Sequence, residues 1–389
     1  MNQGKEDTMS SEQKIAKLFS SADIEINGKD PWDISVNNPD LFPRVLSGGS
    51  LALGESYIDG WWDTAKLDEF FYRILRAGLD KKAYTLSMLP AYLQAKLVNK
   101  GRRSKAFEIG EKHYDTGNDL FAAMLDSSMT YTCGYWKNID RIPENLDPAQ
   151  EQKLDLVCRK IGLKKGDTVL DIGCGWGSFM KFAAEKYGAN VTGITVSKEQ
   201  VELGREICRG LPVKFKLEDY RDHHGSYDHI VSLGMVEHVG DKNYRTFFKA
   251  ARRLLKENGL FLLHTIGHNR KTSGSDPWIE KYIFPNGIIP QSSKLVKTFE
   301  GLFVMEDWHN FGPDYDSTLL AWHDRFEKAW PQLSQVTDNN GEKKYSNRFY
   351  RMWRYYLLAC AGAFRARNIH VWQIVLSTNG IHGGYVPIR

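Results

Sequence analysis

A doubly wound α/β domain, preceded by a small α+β domain, is what this sequence predicts. Two observations carry that reading. First, the stretch Val169-Leu-Asp-Ile-Gly-Cys-Gly-Trp-Gly177 sets Gly173, Gly175 and Gly177 at alternate positions behind a short apolar strand ending near Asp171. Residues 178–187 after it read as a helix, and strand, glycine turn and helix form the ligand corner of such a sheet. Glycine permits the tight turn and lets a ligand approach the backbone without meeting a Cβ. Second, strands and helices alternate regularly from Gln152 onward. Strands are expected at 168–172, 190–195, 213–217, 227–233 and 259–265, and helices at 178–187, 198–209 and 244–255, which is the pattern of a parallel sheet.

The flanking segments follow in order. Residues 1–12 read as a flexible tail and 13–79 as the small N-terminal domain, with a helix near 15–18, a short strand at 42–46, a turn at Ser47-Gly-Gly-Ser50 and a helix at 67–75. Residues 80–106 form a basic linker, with Lys81, Lys82, Lys96, Lys100, Arg102, Arg103 and Lys105 against the single acid Asp80. Two readings stand for it: a solvated helical linker, or a basic amphipathic surface for anionic lipid. Residues 107–389 are the main domain. Within it, 276–322 is dense in aromatics and proline and reads as a pocket wall, 331–346 as a polar loop, 349–367 as a helix and 370–377 as a closing strand.

Composition narrows the function classes. The 52 basic residues exceed the 48 acidic by four, too small an excess for a nucleic-acid wrapper. No apolar run reaches the length of a membrane span, and the polar start has no signal-peptide core. The cysteines at 133, 158, 174, 208 and 360 form no CxxC pair and no metal spacing, so reduced cytosolic thiols are expected. The 11 Trp, 18 Tyr and 19 Phe exceed what a core requires, as suits a site for a cation or an apolar ligand.

Ligands of this sheet class lie at the carboxyl ends of the strands. The loop D-x-G-x-G-x-G differs from the G-x-G-x-x-G of dinucleotide sites, which seats a pyrophosphate. After the second strand, Thr195 and Gln200 stand where a dinucleotide site places an acid for the ribose, and Ser197 reads first as a helix cap. After the third come Asp219 and Tyr220, either an adenine contact or a surface turn. After the fourth, Glu237 and His238 sit at the reaction centre; a carboxylate buried there without purpose would be costly. His264 ends the fifth strand, either as a satisfied core histidine or, as we favour, facing Glu237. Cys133 has no adjacent histidine and is not read as a nucleophile; Cys174 and Cys360 read as packing residues.

The chain resembles the cyclopropane-fatty-acyl-phospholipid synthases and mycolic acid cyclopropane synthases. The marks are His113-Tyr-Asp-Thr-Gly-Asn-Asp119, Tyr131-Thr-Cys-Gly-Tyr-Trp136, the glycine loop, Gly234-Met-Val-Glu-His-Val-Gly240, Leu263-His-Thr-Ile-Gly267, Tyr282-Ile-Phe-Pro-Asn-Gly287, Glu306-Asp-Trp-His-Asn310 and Ala361-Gly-Ala-Phe-Arg-Ala-Arg367. Leu53-Gly-Glu-Ser-Tyr-Ile-Asp-Gly-Trp-Trp62 resembles the extra domain of the phospholipid-acting branch. Thr132 stands where the family often has serine, and a hydroxyl remains.

The resemblance implies a Rossmann-like S-adenosylmethionine-dependent methyltransferase sheet and methylene addition across a cis double bond of an unsaturated phospholipid acyl chain. It implies S-adenosylmethionine held by Tyr131, Thr132, Asp171, Gly173, Gly175, Gly177, Thr195, Gln200, Asp219 and Tyr220. It also implies a bicarbonate base held by Glu237, His264, Tyr315 and the backbones of Cys133 and Ile266, with no metal. Tyr135, Trp136 and Tyr315 would steady a cation by their π faces. A homodimer, cytoplasmic and touching the inner face of the membrane, is expected. The alternatives are a lipid C-methyltransferase giving a branched product, and a non-catalytic lipid-surface binding protein.

Overall fold

The computed structural model describes residues 9–80, 117–270, 275–338 and 340–389. Residues 81–106 of the basic linker expected at 80–106, and the start of the His113 motif, lie outside them. Two compact units divide the chain: residues 1–98, 276–284 and 326–368 form one, and 99–275, 285–325 and 369–389 the other.

In the first unit a capping box starts the helix Ser11–Ser20: the Ser10 hydroxyl accepts from the Gln13 N–H at 3.2 Å, and the Gln13 side chain accepts from the Ser10 N–H at 2.9 Å. The helix therefore begins before the expected end of the tail at 12. Strands β1 (Ser35–Val36) and β2 (Trp62–Asp63) pair antiparallel. The expected strand at 42–46 is instead the start of the helix Leu41–Ile58. A short apolar run does not distinguish strand from buried helix, and Pro43 is tolerated because the first turn of a helix has no amide to satisfy. The glycine turn survives as a kink, with Gly49 at φ 57°.

The helices Leu67–Arg76 and Asn347–Arg365 cross closely in this unit, because a Cβ on Gly362 would lie 2.5 Å from the Asp68 carbonyl oxygen. The Tyr355 ring packs on Tyr57 at 5.4 Å, Phe71 at 5.1 Å and Trp278 at 4.3 Å. The expected division at residue 107 is therefore too simple. Residues 276–284 and 326–368 join the N-terminal residues because their aromatic faces are buried there, and only part of the expected pocket wall, 285–322, belongs to the second unit.

The second unit carries β3 (Thr168–Ile172), β4 (Asn190–Thr195), β5 (Val213–Leu217), β6 (Tyr227–Leu233), β7 (Leu255–Gly267), β8 (Val304–Asn310) and β9 (His370–Ser377). They form one seven-stranded sheet in the order β5-β4-β3-β6-β7-β9-β8. Strands β3 to β7 are parallel, whereas β9 runs antiparallel to both β7 and β8, so the sheet is mixed. Strand β8 was not foreseen. It is an edge strand with mostly exposed or half-buried residues, so it lacks the apolar run that marks the inner strands. Two apolar clusters bury the sheet, one containing Leu170, Phe247 and Phe261, the other Val169, Phe179 and Leu262. The strand order reverses between β3 and its neighbours β4 and β6, and a crevice at the strand ends follows from that reversal.

Candidate active site

A cavity of about 170 Å³ opens at the carboxyl ends of β3, β4 and β6. The three loop glycines have positive φ, 84° at Gly173, 55° at Gly175 and 89° at Gly177. Their reasons differ. A Cβ on Gly173 would lie 2.5 Å from Met235 Cγ, and one on Gly177 would lie 2.4 Å from Phe215 Cζ. A Cβ on Gly175 would meet no atom within 4 Å, and Gly175 lines the cavity. Packing requires the outer glycines, whereas the middle one keeps the wall open for a ligand.

Asp171, at the end of β3, is buried on this wall, and its Oδ1 has no hydrogen-bond partner among the described residues. Burial pushes its carboxyl up to about 7, against the pull of Lys153. The Thr195 hydroxyl donates to Gln200 Oε1 at 2.7 Å, and the Ser197 hydroxyl caps the next helix by accepting from the Gln200 N–H at 3.3 Å. Asp219 and Tyr220 also line the cavity. The Asp219 carboxylate receives Arg221 Nε at 2.7 Å and Nη2 at 2.6 Å, while the Tyr220 ring packs edge-on against Phe247.

The helix Leu146–Lys160 supports a further part of the lining, through Lys153 and the Thr132 segment. Gln150 Nε2 donates to the Thr132 carbonyl at 2.7 Å, Lys153 Nζ donates to Thr132 Oγ1 at 2.8 Å, and the Tyr135 N–H donates to the Ala149 carbonyl at 2.8 Å. The Tyr131 ring lies 5.0 Å from Phe121 and 5.2 Å from Trp322. Sequence reasoning missed Lys153, which lines the cavity and is fully buried. A signal was present: Leu146, Ala149, Gln150, Lys153, Leu154 and Val157 share the helical spacing of a buried face.

A second set of predicted residues lies on the segment after β6, on β7, and in the segments carrying Cys133 and Tyr315. Glu237 is buried on the short helix Val236–Val239, and its Oε1 accepts the Ile266 N–H at 2.7 Å. Its Oε2 has no partner among the described residues. Burial pushes this carboxyl up to about 7. The Ile266 amide is thus committed to Glu237 and orients it, which differs from the expected role of binding an anion directly. His264 stands two residues before Ile266 on β7, so the side chains of these two residues share one face of the strand. His264 is fully buried, Gln373 Nε2 lies 3.5 Å from its Nδ1, and burial holds its pKa well below the usual value, so the imidazole is neutral.

The helix Pro313–Leu333 carries Tyr315 and holds the segment that follows Cys133. Thr318 Oγ1 accepts the Gly134 N–H at 3.1 Å and the Trp136 Nε1–H at 3.0 Å, and Asp314 Oδ2 accepts the Trp136 N–H at 2.8 Å. Phe311 bridges the two groups, its ring 5.3 Å from Tyr135 and 5.8 Å from His264. The Cys133 thiol is pushed well above its ordinary range, chiefly by burial, which is unsuited to a nucleophile. Glu237, His264, Cys133 and Tyr315 are thus each buried and lie outside the lining of the cavity described above, with one carboxyl oxygen of Glu237 uncommitted among the described residues.

Residues 101–374 match the family described as mycolic acid cyclopropane synthetase. The chain belongs to the mycolic acid cyclopropane synthetase family. It is 51% identical over 375 residues to the cyclopropane-fatty-acyl-phospholipid synthase of Escherichia coli K12, covering 95% of this chain and 93% of that protein. Among solved structures it resembles the cyclopropane synthase MmaA2 from Mycobacterium tuberculosis, at 30% identity and a TM-score of 0.63, over 69% of this chain and 97% of that one. The mycolic acid cyclopropane synthase CmaA1 complexed with SAH and CTAB is 31% identical, with a TM-score of 0.62, over 69% and 97% of the two chains. The family match spans the whole cavity wall together with Glu237 and His264.

Proposed function

We propose that this protein transfers a methylene group from S-adenosylmethionine to the cis double bond of an unsaturated phospholipid acyl chain, the activity named for its Escherichia coli relative. Overall, the lipid gains CH2, one proton is released and S-adenosylhomocysteine remains. The observation that carries the reading is Glu237: a buried carboxyl, oriented through one oxygen by the Ile266 amide, with its other oxygen open to chemistry.

The residues fit both small molecules that the reading needs. The open wall at Gly175 and the uncommitted Asp171 oxygen suit the amino-acid end of S-adenosylmethionine. With its carboxyl raised to about 7, Glu237 is partly protonated at neutral pH and can donate from Oε2 to a bicarbonate ion, alongside His264, Tyr315 and the Cys133 backbone. When bound, bicarbonate supplies a proton acceptor that cannot form a permanent ester with the enzyme. Tyr135 and Trp136 are buried and would offer π faces to a developing cation, and a buried site keeps water from quenching it to an alcohol.

The substrate's double bond lies in the bilayer, and each methylene withdrawn costs about 0.8 kcal/mol until it is buried again. An apolar lining answers that cost. Among the described residues no helix is long and apolar enough to cross a membrane. Peripheral contact with the cytoplasmic leaflet, and a homodimer, belong to the same proposal.

Mass spectrometry and NMR of unsaturated phospholipid vesicles incubated with the protein and S-adenosylmethionine test it. The expected product is heavier by one CH2, with the alkene lost and a ring present. The same mass gain with the alkene retained would make the protein a lipid C-methyltransferase instead. An unchanged lipid, with S-adenosylhomocysteine binding demonstrated, would favour a non-catalytic lipid-surface protein.

A further inference from the structure

Lys153 has no part in the expected cofactor or anion set, yet it is the most demanding residue of the cavity to bury. An ammonium taken out of water is costly unless its donors are used. Lys153 is fully buried, and among the described residues Thr132 Oγ1 is the one hydrogen-bond acceptor its Nζ reaches, at 2.8 Å. An ammonium carries three donors, so two remain for the cavity that Lys153 lines. Asp126 and Asp171 draw positive charge to it, while burial lowers its pKa to about 8, leaving it mainly protonated at neutral pH. Asp126 is itself occupied, its carboxylate receiving the Thr130 N–H at 2.8 Å and the Ser128 N–H at 3.0 Å. Thr132 is fixed as well: its hydroxyl oxygen accepts from Lys153, so its own proton is left to point elsewhere.

A cation with two spare donors, a hydroxyl proton beside it and an uncommitted carboxyl oxygen on Asp171 make a matched set. The set suits a zwitterionic amino acid, with carboxylate on the Lys153 and Thr132 side and ammonium on the Asp171 side. We infer that Lys153 is a cofactor-binding residue that reads the α-carboxylate of the methionine moiety, with Thr132 as its partner. This inference rests on the S-adenosylmethionine reading above and specifies how that site selects its ligand. Charge-assisted hydrogen bonds to a carboxylate contribute about 1.5–3 kcal/mol, which corresponds to roughly 10- to 150-fold in affinity.

Calorimetry with two ligands tests it: S-adenosylhomocysteine, and its decarboxylated amine analogue, which keeps the nucleoside and the ammonium. The wild-type protein is expected to bind the carboxylate-bearing ligand at least tenfold more tightly. In Lys153→Met, which replaces the ammonium with a side chain of similar length, that preference should fall to about threefold or less. A merely structural lysine would weaken both ligands in proportion and leave the ratio unchanged, which overturns the inference. So does a wild-type protein that does not distinguish the two. Should Lys153→Met fail to fold, NMR of the Lys153 side-chain nitrogen in wild-type protein decides. Its resonance should move with S-adenosylhomocysteine and stay with the amine analogue, and equal movement overturns the reading. A wild-type protein that binds neither ligand removes the S-adenosylmethionine reading itself, which distinguishes that failure from a failure at Lys153.

Discussion

Replacing Glu237 with glutamine tests whether burial controls this site. In the folded protein, burial pushes the Glu237 carboxyl up to about 7 from an ordinary value of 4.5. A raised acid contributes no penalty while protonated. Below pH 4.5 it is neutral in both folded and unfolded chains. Between 4.5 and about 7 the folded chain binds the additional proton, so stability falls as pH rises across that window and levels off above it. At 1.36 kcal/mol for each pH unit the loss is about 3 kcal/mol. Glu237→Gln keeps an oxygen for the Ile266 N–H but carries no charge. Its amide donors lack an acceptor where Oε2 stood, which costs roughly 1–3 kcal/mol at every pH and so cancels when two pH values are compared. Other shifted groups, Asp171 among them, are common to both proteins and cancel too. Urea unfolding of the two proteins at pH 4.5 and pH 8 should therefore show the stability difference moving in favour of the variant by about 3 kcal/mol. Turnover should fall by roughly 10²- to 10⁴-fold at all pH values if Glu237 takes part in proton transfer. A stability difference that is the same at both pH values would refute the reasoning, because the carboxyl would then not be raised by burial.

Two further substitutions examine the scaffold. Gly177→Ala, at φ 89° with Phe215 Cζ 2.4 Å from the new Cβ, should destabilise the fold by roughly 2–5 kcal/mol in thermal unfolding, whereas Gly175→Ala should fold with a smaller loss and bind S-adenosylhomocysteine at least about tenfold more weakly by calorimetry, since its Cβ enters the ligand's space. Thr318→Val keeps the side-chain shape but strips the acceptor from the Gly134 N–H and the Trp136 indole N–H, so urea unfolding should register a loss of roughly 1–3 kcal/mol for each orphaned donor.

Strands β3, β4, β5, β6 and β9 and the helix Ser178–Tyr187 have the expected bounds, because each combines a buried apolar run or face with turn residues beside it. The Ser197 cap and the glycine loop are equally local, set by residues within a few positions of one another. The start of the helix Leu41–Ile58 reads as a strand in the sequence, since five residues of apolar and basic character, 42–46, carry no decisive period. Strand β8 escaped because an edge strand need not be apolar.

The amino-acid sequence by itself determined the sheet class, the cavity's glycine wall, and the identity of Glu237 and His264 as strand-end residues. Only the tertiary structure decided how those groups are used. The Ile266 amide reaches Glu237 across 29 positions, and Thr318 holds Gly134 and Trp136 across 184 and 182 positions. Lys153 owes its lowered pKa to burial, and Glu237 its raised one. Solvation and long-range hydrogen bonding are properties of what surrounds a residue, and a linear pattern records only its neighbours in the chain. The same reason places Trp278 and Tyr355 with the N-terminal residues: their rings are buried where complementary surface exists, and no periodicity names that surface in advance.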